Sequence, residues 1–215
     1  NEATRLKLVV DDVEQLLANI GELPITKALM IILHTRILES LRSIYELTGD
    51  TSVRSQLNDR SVILETIKSN FQSKPLEQFR LPQDDRIVLQ FVQAIKKIKT
   101  ILRSEHKLGR INPTIFAHES KRADLLQIRI NIDSVIKRAR IAIHAKQMGS
   151  AKTYLDKAIA TLSQINREGD EFVAKKLEEA NELLGIVDEA REARHAEAAA
   201  SLDDPEVAEL VGAPQ

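Results

Sequence analysis

The sequence predicts an all-α protein, a bundle of about seven helices. Apolar residues recur at three- and four-residue spacing along most of the 215 residues, the period of helices with one buried face. The helix-breaking residues, Gly 7 and Pro 6, cluster between those stretches. With Phe 5, Tyr 2 and no Trp, the core must be built from Leu, Ile, Val and Ala, which suits helix-on-helix packing. No segment has the two-residue alternation of a strand.

The first helix is expected from about Ala3 to Ile20, with Leu6, Val9, Val10, Val13, Leu16, Leu17 and Ile20 on its stripe. Gly21 and Pro24 end it and start the next. The second, from about Ile25 to Leu47, is apolar over a wide arc at Ala28–Leu33, which marks it as the centre of an N-terminal bundle. Thr48-Gly49-Asp50 is a stop-and-start signal. A third helix then carries Val53, Leu57, Ile63, Leu64 and Ile67. The stretch from Gln72 to Gln83, with Pro75 and Pro82, is the longest loop and the expected boundary between subdomains.

A fourth helix starts at Asp84 or Asp85 and runs to about Leu108, with acids first and bases last as the helix dipole favours. Asn112-Pro113 looks like N-cap plus first helical residue, with a short turn before a long helix from about Glu119 to Gln147. Gly149 and Ser150 are the expected connection to a sixth helix, Ala151 to Ile165. The seventh extends from near Asp170 to about Ala200. Its Val173, Leu177, Ala180, Leu184 and Val187 fall at 4-3-4-3 spacing, a coiled-coil-like seam. The expected organisation is an N-terminal bundle over 1–72, a basic helical layer over 84–165, a long acidic helix over 166–200 and a mobile tail over 201–215.

Apolar residues at 43% and charged residues at 29% describe a folded chain rather than a disordered one. The absence of Cys excludes disulfides, thiolate metal sites and a Cys nucleophile. The longest apolar run, Ala28–Leu33, is far shorter than the roughly 20 residues that span a bilayer. The chain begins with Asn1 rather than Met, so a membrane association is expected only through a segment upstream of it.

The net charge of −1 hides a gradient. Residues 1–91 carry a net −2, residues 92–157 a net +10 and residues 158–215 a net −9. The basic part supplies a candidate surface: Lys96, Lys97, Lys99, Arg103 and Lys107, then Lys137, Arg138 and Arg140. Such a stripe could follow phosphates, although the segment has few aromatic side chains for stacking on bases. The acidic helix is expected to fold back and bring Glu178, Glu179, Glu182 and Glu189 near Lys137, Arg138 and Arg140.

Ser134–Leu162 (SVIKRARIAIHAKQMGSAKTYLDKAIATL) has the small residues of a tight antiparallel helix pair. Ala142, Ala151, Tyr154 and Ala158 are its candidate contacts, and the segment resembles one tetratricopeptide-type hairpin. Lys-Leu-Gly at 107–109 echoes Gln-Met-Gly at 147–149, but a stable solenoid takes about three repeats.

Two stretches, LLANIGELPITKALMIILHTRILESL and GRINPTIFAHESKRADLLQIRINIDSVIKRARIAIHAKQMGSAKTYLDKAI, resemble a group of uncharacterised bacterial membrane-anchored helical proteins with a tetratricopeptide-like hairpin. The resemblance implies an N-terminal anchor, a place on the cytoplasmic face of the inner membrane, and no activity.

No phosphate-binding loop, dinucleotide fingerprint or nucleophile elbow occurs. The histidines, His34, His106, His118, His144 and His195, form none of the short-range metal-ligand pairs, so no metal or other cofactor is expected. Asp11-Asp12 and Asp84-Asp85 sit where capping and solvation account for them. The function expected is a non-enzymatic protein–protein interaction module, a scaffold or adaptor in the cytoplasm. Its partner is another protein, or a second copy through Val173, Leu177, Leu184 and Val187. The alternative is a nucleic-acid-associated protein using 92–157.

Overall fold

The computed structural model describes residues 1–165 and 170–202. Among these the chain is helical, with no strand: α1 (Glu2–Asn19), α2 (Lys27–Thr48), α3 (Thr51–Asn70), a 3-10 turn (Leu76–Gln78), α4 (Asp85–Lys107), α5 (Pro113–His144), α6 (Met148–Ile165) and α7 (Glu171–Leu202). The expected tail at 201–215 lies outside the described residues beyond Leu202, as do residues 166–169 between the expected sixth and seventh helices.

The helix starts are set by side-chain caps, because the first N–H groups of a helix have no partner within it. Asn1 accepts from the Ala3 amide, Asp50 from Ser52, Asp84 from Arg86, Asn112 from Ile115 and Asp170 from Phe172. Two helix ends use a left-handed glycine: Gly49 at φ 65 and Gly109 at φ 69.

The chain divides into two compact units, Asn1–Ile130 and Asn131–Gln215. In the first, α1 and α3 both pack on α2, Arg60 of α3 pairs with Glu14 of α1, and α4 packs on α1. Leu33, Ile37 and Ile44 of α2 are almost fully buried, with Val13 and Leu16 from α1, Val53 and Ile67 from α3, and Ile95, Ile98 and Leu102 from α4. Ile63, expected on the buried stripe of α3, is exposed with its neighbour Val62. Val53, Leu64 and Ile67 form the inward face instead.

The proline-containing loop is not where the units divide. Leu76 and Phe79 are buried in the first unit's core, and Phe79 meets Phe91 of α4 edge-on with ring centres 6.4 Å apart. Polar ties fix the same loop to the α1–α2 connection. The Lys74 amide donates to the Ile25 carbonyl and the Lys27 amide to the Ser73 hydroxyl. Arg122 of α5 donates to the carbonyls of both Pro24 and Lys74.

The division falls inside α5, which runs unbroken from Pro113 with no separate turn before it. Its buried positions explain why. Glu119, Ala123, Leu126 and Ile130 advance at 4-3-4 spacing; Ile132, Ile136, Ala139 and Ala142 begin a second series. The two-residue step from Ile130 to Ile132 cannot belong to one helical stripe. One helix therefore serves two cores.

In the second unit the α5–α6 connection is Ala145–Gln147, not Gly149-Ser150, which lie in the first turn of α6. The Gln147 amide bonds the Ala142 carbonyl and the Lys146 amide the Ile143 carbonyl, the Schellman pattern, with Lys146 itself left-handed at φ 59. The same pattern ends α4, where Gly109 holds the equivalent place: Arg110 bonds Glu105 and Gly109 bonds His106. The Lys-Leu-Gly and Gln-Met-Gly triplets are thus not structurally equivalent. α7 packs against α6, burying Val173, Ala180, Leu183 and Val187.

Candidate functional site

The basic residues expected to act together are distributed over both units. Lys96, Lys97, Lys99, Arg103 and Lys107 belong to α4 in the first; Lys137, Arg138 and Arg140 belong to α5 in the second. On α4, Lys96, Lys99, Arg103 and Lys107 follow one another at 3-4-4 spacing and share a face. That face lies opposite the buried series Phe91, Ala94, Ile95, Ile98, Ile101, Leu102 and Glu105. Lys97 lies off it and pairs with Asp12 of α1 at 2.6 Å. Lys99 pairs with Asp124 of α5 at 2.6 Å and donates to Gln127. Lys96, Arg103 and Lys107 are exposed.

In the second unit Arg138 is exposed, while Arg140 donates to Glu179 of α7 at 2.9 Å. Lys176 of α7 meets Asp133 of α5 and Glu179, both at 2.9 Å. Burial pushes the Glu179 carboxyl up, but the hydrogen bonds from Arg140 and Lys176 outweigh it and leave its pKa below the ordinary value. Asp188 lies 3.4 Å from Lys152 of α6. Of the acids expected to fold back onto the bases, Glu179 does so; Glu178, Glu182 and Glu189 face solvent.

Ala142, Ala151 and Ala158 are buried, the last two essentially completely, and Tyr154 is half-buried. Replacing Ala158 (1% exposed) by Leu should overpack that face and cost about 1–3 kcal/mol. Unfolding in urea measures this, and an unchanged midpoint would show that the face has room. The expected dimer seam is engaged within the chain: Val173 and Val187 are buried, Leu177 and Leu184 half-buried, and Leu183 rather than Leu184 points inward.

Two acids, Glu105 and Glu119, are buried inside the first unit. Glu105 is 2% exposed and accepts from Arg36 of α2, with Arg110 3.5 Å away. Glu119 is 3% exposed; it accepts from the Thr26 hydroxyl at 2.9 Å and lies 3.1 Å from His118 Nδ1. Thr26 in turn accepts from the Leu29 amide, so one hydroxyl both caps α2 and ties it to α5. The available signal was phase: Glu105 falls three or four residues after Leu102 and Ile101, on the apolar stripe of α4.

The histidines separate. His34 is buried, and burial, with the positive charge of Arg60 adding to it, pushes its pKa down to about 4. His106 stacks on Phe116 with ring centres 4.3 Å apart, and His144 and His195 are exposed. Among the described residues no group of three His, Cys, Asp or Glu side chains is placed to hold a metal ion. No helix among them is long and apolar enough to cross a membrane. Compared with known proteins, the chain matches no family model, no curated protein and no solved structure.

Proposed function

We propose that the chain is a non-enzymatic interaction module, a scaffold or adaptor that presents helix faces to another protein. The observation that supports this reading is the seating of α7. An amphipathic helix with an aliphatic seam packs on α6, and its acids meet bases of α5 and α6 at the rim, Glu179 on Arg140 and Asp188 on Lys152. This is the chemistry by which helical surfaces take partner helices. A tetratricopeptide-like use of the α5–α6 pair belongs to the same proposal, as does a cytoplasmic setting with a tether to the inner membrane outside this chain. A homodimer through Val173, Leu177, Leu184 and Val187 would then be an exchange of α7 between copies, since Val173 and Val187 are already covered.

The outward face of α5 in this unit carries Arg138 and Ile141, the latter 57% exposed. The test is capture from a nuclease-treated lysate in moderate salt, comparing the parent with Arg138→Glu/Ile141→Asp. A protein retained by the parent and lost by the variant, with both melting alike, supports the module. No retained protein, or equal retention by both, counts against it. The outward basic stripe of α4 favours a second reading, association with nucleic acid through 92–157.

A further inference from the structure

The outward face of α4 stays basic although other bases of the segment are taken up in ion pairs, Lys97 with Asp12 and Arg129 with Glu77. Residues 92–130 hold nine Lys or Arg and three Asp or Glu. Two of those acids, Glu105 and Glu119, are withdrawn into the unit at 2% and 3% exposure. Only Asp124 meets solvent, and it is held by Lys99. The outward face of α4 therefore presents Lys96, Arg103 and Lys107, exposed and with no ion-pair partner among the described residues. Eleven residues of helix place them along a line of about 16 Å.

We propose that this α4 face binds the phosphate backbone of duplex nucleic acid without reading its sequence, a deepening of the second reading above that rests on it. The chemistry of the face selects the ligand. Between Lys96 and Lys107 the row also carries the exposed Thr100, while Ser104 is half-buried beside Arg36, and the exposed apolar side chains Leu89 and Leu108 lie only at the ends of the row. A protein partner would need an apolar or aromatic anchor at the centre of the contact; a phosphate backbone needs only charge. Single strands are held by aromatic platforms, and here Phe91 is buried in the core while Phe116 is covered by His106. Three phosphate contacts set a log–log salt slope of about −3.

Fluorescence anisotropy of a labelled 20-base-pair DNA duplex, titrated with the full chain over a range of salt, tests this. The expected result is weak binding with a slope near −3. Lys96→Gln/Arg103→Gln/Lys107→Gln should weaken binding at least about tenfold at low salt and remove most of the slope. The charge-preserving Lys96→Arg/Arg103→Lys/Lys107→Arg should bind like the parent, which separates charge from fold. Absence of duplex binding by the parent overturns both the proposal and the nucleic-acid reading. Binding that the triple Gln variant retains in full overturns the proposal alone and moves the contact to another basic surface. Tighter binding to an equal-length oligothymidine or to polyglutamate overturns it in favour of a single strand or an acidic protein.

Discussion

Arg36→Ala is expected to destabilise the first unit by about 3–5 kcal/mol, the cost of leaving a buried charge without its partner. Glu105 is 2% exposed, and Arg36 is its close ion-pair partner, with a second bond to the Ser104 hydroxyl at 3.3 Å. Without Arg36 the carboxylate keeps, among the described residues, Arg110, whose nearest nitrogen is 3.5 Å away on a partly exposed side chain. By contrast, Arg42→Ala removes an exposed i,i+3 pair with Glu39 and should cost about 0–1 kcal/mol. Urea unfolding at neutral pH gives both numbers. The double variant Arg36→Leu/Glu105→Leu should recover most of the loss, because an apolar pair of similar volume carries no desolvation penalty. A cost for Arg36→Ala below about 1 kcal/mol would mean that water reaches Glu105 and the pair behaves as a surface bridge.

Acid should destabilise the same unit through His34 before most carboxylates titrate. The ring is 5% exposed, its Nδ1 has no hydrogen-bond partner among the described residues, and its pKa falls from 6.5 to about 4. Burial is the larger cause, and the charge of Arg60 acts in the same direction. Above pH 6.5 the ring is neutral in both folded and unfolded chains, so its contribution is constant. As the pH falls from 6.5 towards 4, the unfolded chain takes up a proton that the folded chain refuses, and stability is lost. Over that window the gap corresponds to about 3 kcal/mol. Unfolding measured at pH 7.5 and pH 4.5 should show the parent losing about 2–3 kcal/mol more than His34→Leu, which has no proton to bind. Equal losses would place the histidine in contact with water.

The expectation of an all-α bundle needed only local information. Helical period, Gly49, the capping residues Asp50, Asp84 and Asn112, and an aliphatic core are properties of neighbouring residues, and each governs the structure close to where it stands. The α5–α6 turn is not legible in the sequence because the left-handed position is held by Lys146, three residues before the glycine, Gly149, that marks such turns. The loop at 72–83 had the composition of a boundary, yet Leu76, Phe79 and the hydrogen bonds around Lys74 draw it into the first core.

The interior of the first unit and the charge of its surface were decided by tertiary structure. Glu105 and Glu119 count as two acids in any sequence sum, but only the packing of α4 and α5 removes them from the surface and leaves Lys96, Arg103 and Lys107 outward. The seam on α7 specifies that a helix must be covered and not by what; Val173, Ala180, Leu183 and Val187 are buried within the chain itself. The division within α5 likewise follows from a change in which residues are covered between Ile130 and Ile132. Periodicity fixes a helix and its apolar residues because it acts over one or two turns. Which partner covers each face, and which charges stay in water, depend on residues tens of positions away.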